Sequence, residues 1–241
     1  MIQVTNLHKR FGEVRAVDGI SFTAADGLIT GILGENGAGK TTTLALICGL
    51  LTADEGSIQV GPEASSPIER QRRLGALLDH KGLYERLTAR ENIVYFGQLH
   101  GMSSVALEAR VREVVFELGL ERIADRRVGG FSQGERMKVA LGRALVHSPG
   151  HLLLDEPTNG LDISSVTGLR DILRRSRDRG GCIVFSSHII DEVRTLCDRV
   201  VIVSRGRVVA NGDTSAICRQ AQCATLEDAF LRLTGYTEVA S

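Results

Sequence analysis

The chain has 241 residues, of which 43% are hydrophobic, enough for one large domain or two small ones with a buried core. Its 29 Lys and Arg balance 29 Asp and Glu, so no net field draws it to nucleic acid or to an anionic membrane surface. The longest apolar stretches, Gly27 to Gly34 and Val200 to Val203, fall far short of the ~20 residues that cross a bilayer.

Met1 to Arg10 lack the apolar segment of a secretory signal, and the expectation is a soluble, cytosolic protein. The five cysteines, Cys48, Cys182, Cys197, Cys218 and Cys223, form no CxxC pair and read as reduced thiols used as small hydrophobes.

In chain order, Ile2 to Leu7, Val14 to Val17 and Ile20 to Thr23 alternate like strands, with Gly12 and Gly19 as turns between them. Leu28 to Leu33 is an apolar run expected as a strand buried on both faces. A glycine-rich turn leads from it into a helix over about Gly39 to Leu50. Further buried strands are expected at Leu74 to Leu78, His151 to Leu154, Cys182 to Ser186 and Val200 to Val203. Helices at Val166 to Arg179 and Ile189 to Leu196 lie among them, an alternation that makes a parallel sheet with helices on its faces. Arg90 to His147 breaks the pattern and reads as almost wholly helical, with Val105, Ala109 and Glu113 spaced along one segment and Val111, Val114, Val115 and Leu118 on its apolar side. Arg205-Gly206-Arg207 turns a hairpin. Leu226 to Leu233 forms a tail helix that Thr225 caps, with Asp228 reaching back. The fold expectation is α/β, with a core over about 1–78 and 148–213, a helical subdomain over about 79–147 and a helical tail over about 214–241.

Gly34-Glu35-Asn36-Gly37-Ala38-Gly39-Lys40-Thr41 matches G-x-x-x-x-G-K-[ST], after a buried strand and at the opening of a helix. Its glycines let successive N–H groups point into one cradle, and the helix N-terminus adds partial positive charge for phosphates. Lys40 brings a full charge, the Thr41 hydroxyl is placed for Mg²⁺, and Thr42 stands beside it. This motif alone suits a kinase, a GTPase or a motor. His151-Leu152-Leu153-Leu154-Asp155-Glu156 ends an apolar strand in two acids, whose side chains should diverge because successive residues on a strand face opposite ways. Asp155 would hold Mg²⁺ and Glu156 would polarise the attacking water.

Phe131-Ser132-Gln133-Gly134-Glu135-Arg136, opening a helical pattern that runs to about His147, resembles the signature motif of ABC ATPases. The resemblance extends over nearly the whole chain. It implies a P-loop core with an antiparallel β edge and an inserted helical subdomain. It also implies that Ser132, Gln133, Gly134 and Glu135 of one subunit close over the ATP of another in a head-to-tail dimer, with itself or with a related ATPase. Asn159-Gly160-Leu161-Asp162 is similar to the family's D-loop, which crosses the dimer interface. His188 matches the switch histidine that contacts the γ-phosphate and positions Glu156, and Phe11 stands where the family stacks an aromatic ring on adenine. Where the family carries a glutamine that touches Mg²⁺, this chain has Asp79, and Tyr84 and Arg86 just beyond it would help receive a membrane partner.

Gly82 to Ile93, Tyr95-Phe96-Gly97, His100-Gly101-Met102, Phe131 to Val139 and Leu226 to Phe230 resemble the ATPase subunit of Nat-type sodium-export transporters. The resemblance implies an ATPase that sits peripherally on the cytoplasmic face of the membrane and powers export, of sodium ions, through separate polytopic membrane subunits. The same branch includes ATPases that export drugs and antibiotics. A soluble ABC protein acting on ribosomes or DNA would carry two cassettes or a long coiled coil, and this chain shows neither. The signature and D-loop disfavour a P-loop kinase.

Overall fold

The computed structural model describes residues 1–62, 66–78 and 82–235. The first half contains β1 (Ile2–Phe11), β2 (Val14–Ala24), β3 (Ile29–Leu33), α1 (Lys40–Cys48), β4 (Glu55–Val60), α2 (Pro67–Arg73), β5 (Leu74–Leu77), α3 (Ala89–Leu99) and α4 (Ser104–Glu117). The second half contains α5 (Gln133–Leu145), β6 (His151–Asp155), α6 (Ile163–Asp178), β7 (Cys182–Ser187), α7 (Ile190–Leu196), β8 (Arg199–Ser204), β9 (Arg207–Gly212), α8 (Thr214–Ala221) and α9 (Leu226–Thr234).

Six strands form the central sheet in the order β5-β6-β7-β3-β8-β9, parallel except for β9, which returns antiparallel from β8 through the Arg205-Gly206 turn. A second sheet, β2-β1-β4, is antiparallel throughout. Strand alternation assigns the central side chains to two buried layers. Cys182 and Val184 of β7 join Ile32, Leu153 and Val201 in a layer shared with α1 and the second sheet. Ile183 and Phe185 join Leu33, Leu152 and Leu154 in a layer shared with the helices of the opposite face. Helix α1 lies inside the first layer, where Leu44, Leu46 and Ile47 are all fully buried.

Helices α3, α4 and α5 leave the sheet after β5 and return at β6. α3 meets α5 closely at Gly142, where a Cβ would lie 2.8 Å from Ile93 Cδ1. In α4 the buried side is Leu107, Val111, Val114 and Val115, whereas Val105 is 83% exposed, so the apolar stripe runs one face away from Val105 and Ala109.

Several local expectations are corrected. Val14 to Ala24 is one strand, not two, because Gly19 at φ 81° is absorbed as an irregularity in the β1–β2 register. Strand β4 was not anticipated, since Glu55-Gly56 opens it with no apolar alternation; Gly56 lets it approach β1, where a Cβ would sit 2.3 Å from the Asn6 carbonyl. Helix α2 buries no residue, so it shows no apolar period; Pro67 at its first turn and the reciprocal Ser66–Glu69 capping box hold it. Helix α8, capped by Asp213, adds a second helix to the tail. In α9, Thr225 accepts from the Asp228 N–H as expected, while the Asp228 carboxylate accepts from the Thr225 hydroxyl. The five cysteines are free thiols. Among the described residues no helix is long and apolar enough to cross a membrane.

Candidate active site

The carboxyl ends of β3, β6 and β7 lie side by side, and the loops leaving them carry Gly34 to Thr42, Asp155-Glu156 and His188. This edge is where open α/β sheets bind ligands. After β3 the chain passes so close to β8 that a Cβ on Gly34 would lie 2.4 Å from the Val203 carbonyl oxygen. Gly37 and Gly39 take left-handed backbone at φ 82° and 103°, and a Cβ on Gly39 would lie 2.3 Å from the Ala16 carbonyl oxygen. The loop is pinned by Ala38 N–H to the Glu35 carbonyl (3.1 Å) and by Gly206 N–H to the Ala38 carbonyl (2.9 Å). Glu35, Asn36 and Gly37 face solvent, as does Thr41, while Ala38 and Gly39 are buried and Thr42 half-buried.

Lys40 opens α1 and is only 4% exposed. Its Nζ donates to the Gly34 carbonyl at 2.8 Å and the Glu35 carbonyl at 3.0 Å, and lies 3.4 Å from Glu156 Oε1. The loop carbonyls of Gly34 and Glu35 therefore hold a buried ammonium at the start of α1. Such a cation suits polyphosphate oxygens, which would replace the carbonyls as its partners.

Asp155 and Glu156 do diverge, but not by strand alternation alone. Glu156 adopts φ 45°, a left-handed backbone unusual for a residue with a side chain, which turns the chain out of β6. Its N–H donates to both the carbonyl and the Oγ of Ser186, at 3.1 and 3.0 Å. The Ser186 hydroxyl in turn donates to the Asp155 carboxylate. Ser186 thus holds the Asp155 carboxylate and the Glu156 backbone, a role the sequence reading missed. The available signal was a hydroxyl ending an apolar strand, but its importance follows from the β6–β7 register that places it opposite Asp155.

The Glu156 carboxylate lies between two cationic or protic groups, Lys40 Nζ and His188 Nδ1, the latter at 3.2 Å. Facing a carboxylate, Nδ1 is the donor nitrogen of the imidazole. His188 is 40% exposed, so its other edge reaches the open side of the site. The structure therefore brings Lys40, Glu156 and His188 together in one chain, with Asp155 beside them.

Ser132 to Glu135 stand elsewhere. Ser132 accepts from the Glu135 N–H at 3.3 Å while the Glu135 carboxylate accepts from the Ser132 N–H at 2.8 Å, a capping box that starts α5 at Gln133. Gln133 Nε2 donates to the Asn159 carbonyl at 3.0 Å and lies against Gly160, where a Cβ would come within 2.2 Å. Gly134 packs on α6, a Cβ there lying 3.1 Å from Ser165 Oγ. Asp162 caps α6 through the Ser165 N–H at 2.7 Å, and that hydrogen bond lowers its carboxyl pKa. Among the described residues no hydrogen bond joins Ser132–Glu135 to Gly34–Thr42. Phe11 ends β1, is 48% exposed, and has Lys9 Nζ 5.7 Å from its ring centroid. Asp79 lies outside the described residues.

The sequence profile of the ABC transporter family matches residues 17–159. The ABC transporter ATP-binding protein NatA of Bacillus subtilis is 40% identical over 96% of this chain and 97% of its own length. The linearmycin resistance ATP-binding protein LnrL of the same organism is 34% identical over 90% of this chain and 71% of its own. Among solved structures, the ATP-binding cassette MJ0796, dimeric in a post-hydrolysis state with ADP and phosphate bound, superposes with a TM-score of 0.79 at 25% identity, covering 88% of this chain and 98% of that one. The chain belongs to the ABC transporter family, as an ATP-binding subunit that hydrolyses ATP.

Proposed function

We propose that this subunit works in a head-to-tail dimer, with itself or a related ATPase, in which Ser132–Glu135 of each chain cover MgATP held on the Gly34–Thr42 loop of the other. The observation that carries the hydrolytic half of this reading is the placement of Glu156, 3.4 Å from Lys40 Nζ and 3.2 Å from His188 Nδ1. Glu156 orients and deprotonates the attacking water, His188 holds the Glu156 carboxylate in place, and Lys40 turns from the loop carbonyls to the phosphates.

The residues present also fit Mg²⁺. Asp155 presents a carboxylate oriented by Ser186, and the exposed Thr41 hydroxyl stands at the start of α1. One or two protein oxygens plus phosphate are the ordinary ligand set for this ion. When bound, Mg²⁺ supplies charge neutralisation for the phosphates. Asp79 is proposed as a further neighbour of the ion from its place in the sequence alone. Phe11, exposed at the end of β1, is proposed to stack on adenine.

The likeness to an ATP-binding cassette whose solved structure is dimeric supports action on a neighbour's nucleotide. A mixing experiment tests it. A Lys40→Ala chain and a Gly134→Trp chain should each lose most of their activity alone, and together they should recover part of it, because one intact composite site forms. If mixing restores no activity while the Gly134→Trp chain still binds ATP, the head-to-tail arrangement is wrong.

The subunit is proposed to sit peripherally on the cytoplasmic face of the membrane, against polytopic membrane subunits. Tyr84 and Tyr95, exposed and packed edge to face at 5.3 Å, support a docking surface there, with Arg86 beside them. We propose sodium ions as the cargo, on the likeness of Gly82–Ile93 and the other quoted segments to Nat-type exporters. The likeness to a linearmycin resistance protein favours a second reading, export of a drug or antibiotic. ATP-driven sodium flux in vesicles carrying the subunit with its membrane partner separates the two, since a drug exporter would move none.

A further inference from the structure

Glu192, in the first turn of α7, is only 8% exposed and has no part in the chemistry described above. Its two side-chain hydrogen bonds reach segments that carry that chemistry, the loop after Glu156 and the end of β7 before His188. Its Oε2 accepts from the Thr158 hydroxyl at 2.7 Å and from the Ser187 hydroxyl at 2.8 Å. Thr158 lies two residues beyond Glu156, in a turn closed by the Asn159 N–H to the Glu156 carbonyl at 3.1 Å. Ser187 immediately precedes His188, and its Oγ also accepts from the Ile189 N–H at 3.0 Å, so His188 is bracketed by one fixed hydroxyl. Thr158 and Ser187 are themselves buried.

Resting on the hydrolytic reading of Glu156 and His188, we propose that Glu192 is a positioning residue that clamps the loop after Glu156 to the strand end before His188. A single buried oxygen ties the two loops to α7, and so fixes the separation across which His188 Nδ1 holds Glu156. A buried carboxylate costs desolvation, and here two hydroxyl donors offset it. Replacing both partners and the carboxylate leaves the loops free to move apart by a fraction of an ångström, the scale on which catalytic geometry is lost.

The test measures kcat, KM, affinity for a fluorescent ATP analogue and Tm on the purified full chain. Glu192→Ala should lower kcat by about ten- to a hundredfold, with KM and analogue affinity unchanged, because positioning rather than binding is lost. Glu192→Gln should restore most of the rate, since its amide carbonyl accepts both hydroxyls. Thr158→Val with Ser187→Ala should reproduce the loss, and adding Glu192→Ala to that pair should cost nothing more. The proposal is overturned if Glu192→Ala keeps the wild-type kcat, if its loss appears in KM and affinity, if Glu192→Gln is no better than Glu192→Ala, or if the losses multiply. Should Glu192→Ala fail to fold, Thr158→Val decides alone, since it cuts one tie while Ser187 keeps its bonds to Glu192 and to the Ile189 N–H; wild-type kcat in that variant overturns the proposal. Glu156→Gln serves as control: if it hydrolyses ATP normally, the hydrolytic centre is misplaced and the clamp falls with it; if only Glu192→Ala is silent, the clamp alone falls.

Discussion

Glu156→Gln isolates the chemistry from the architecture. Glutamine has the same shape, and the backbone at φ 45° is unchanged in cost because Glu and Gln share a Cβ. The two bonds from its N–H to Ser186 persist, and Lys40 keeps both loop carbonyls. What disappears is the anionic oxygen 3.4 Å from Lys40 Nζ and 3.2 Å from His188 Nδ1. An amide oxygen is a poor proton acceptor, so the contribution of a positioned general base is lost, about 10²- to 10⁴-fold in kcat. At 1.36 kcal/mol per factor of ten that is about 3–5 kcal/mol of transition-state stabilisation. Phosphate release under saturating MgATP should therefore fall near background. Affinity for ATP should be retained, Tm should stay near wild type, and size-exclusion chromatography should show an ATP-trapped dimer. A variant that turns over within threefold of wild type would refute the assignment of Glu156.

Lys40→Ala removes a charged donor to the phosphates, worth about 1.5–3 kcal/mol, so the Kd for ATP should rise about ten- to a hundredfold by titration calorimetry. Gly39→Ala places a Cβ on the Ala16 carbonyl in a backbone at φ 103°; strain of about 1–3 kcal/mol should open the loop and weaken ATP binding about five- to a hundredfold while circular dichroism stays native. His147 stacks on His100 at 3.6 Å, and burial pushes its pKa down from 6.5 to about 4. The unfolded chain then binds the proton first as pH falls. The urea midpoint should be highest above pH 6.5 and drop as the pH falls towards 4, and His147→Leu should flatten part of that slope.

Elements with a strong local cause were legible from residues alone. A five-residue strand buried on every side, a glycine loop feeding a helix and two acids ending an apolar run each announce themselves without neighbours. The strand Glu55–Val60 and the helix Pro67–Arg73 were not legible, because Gly56 and an all-exposed helix erase the periodicities that identify such elements. Gly19 was misread because glycine at positive φ serves a turn and a strand irregularity equally, and only the partner strand decides. The site follows the same division. Motif spacing named Lys40, Asp155 and Glu156, while His188 was named by the family resemblance from its place after the strand Cys182 to Ser186. Only the parallel register set Ser186 opposite Asp155, the left-handed turn at Glu156 aimed its carboxylate at Lys40 and His188, and α7 carried Glu192 to two hydroxyls, one in the loop after Glu156 and one at the end of β7. Such contacts join residues distant in the chain, and no local preference encodes them; they exist because packing the sheet and its helices brings these particular polar groups together away from water, where pairing is strongly favoured.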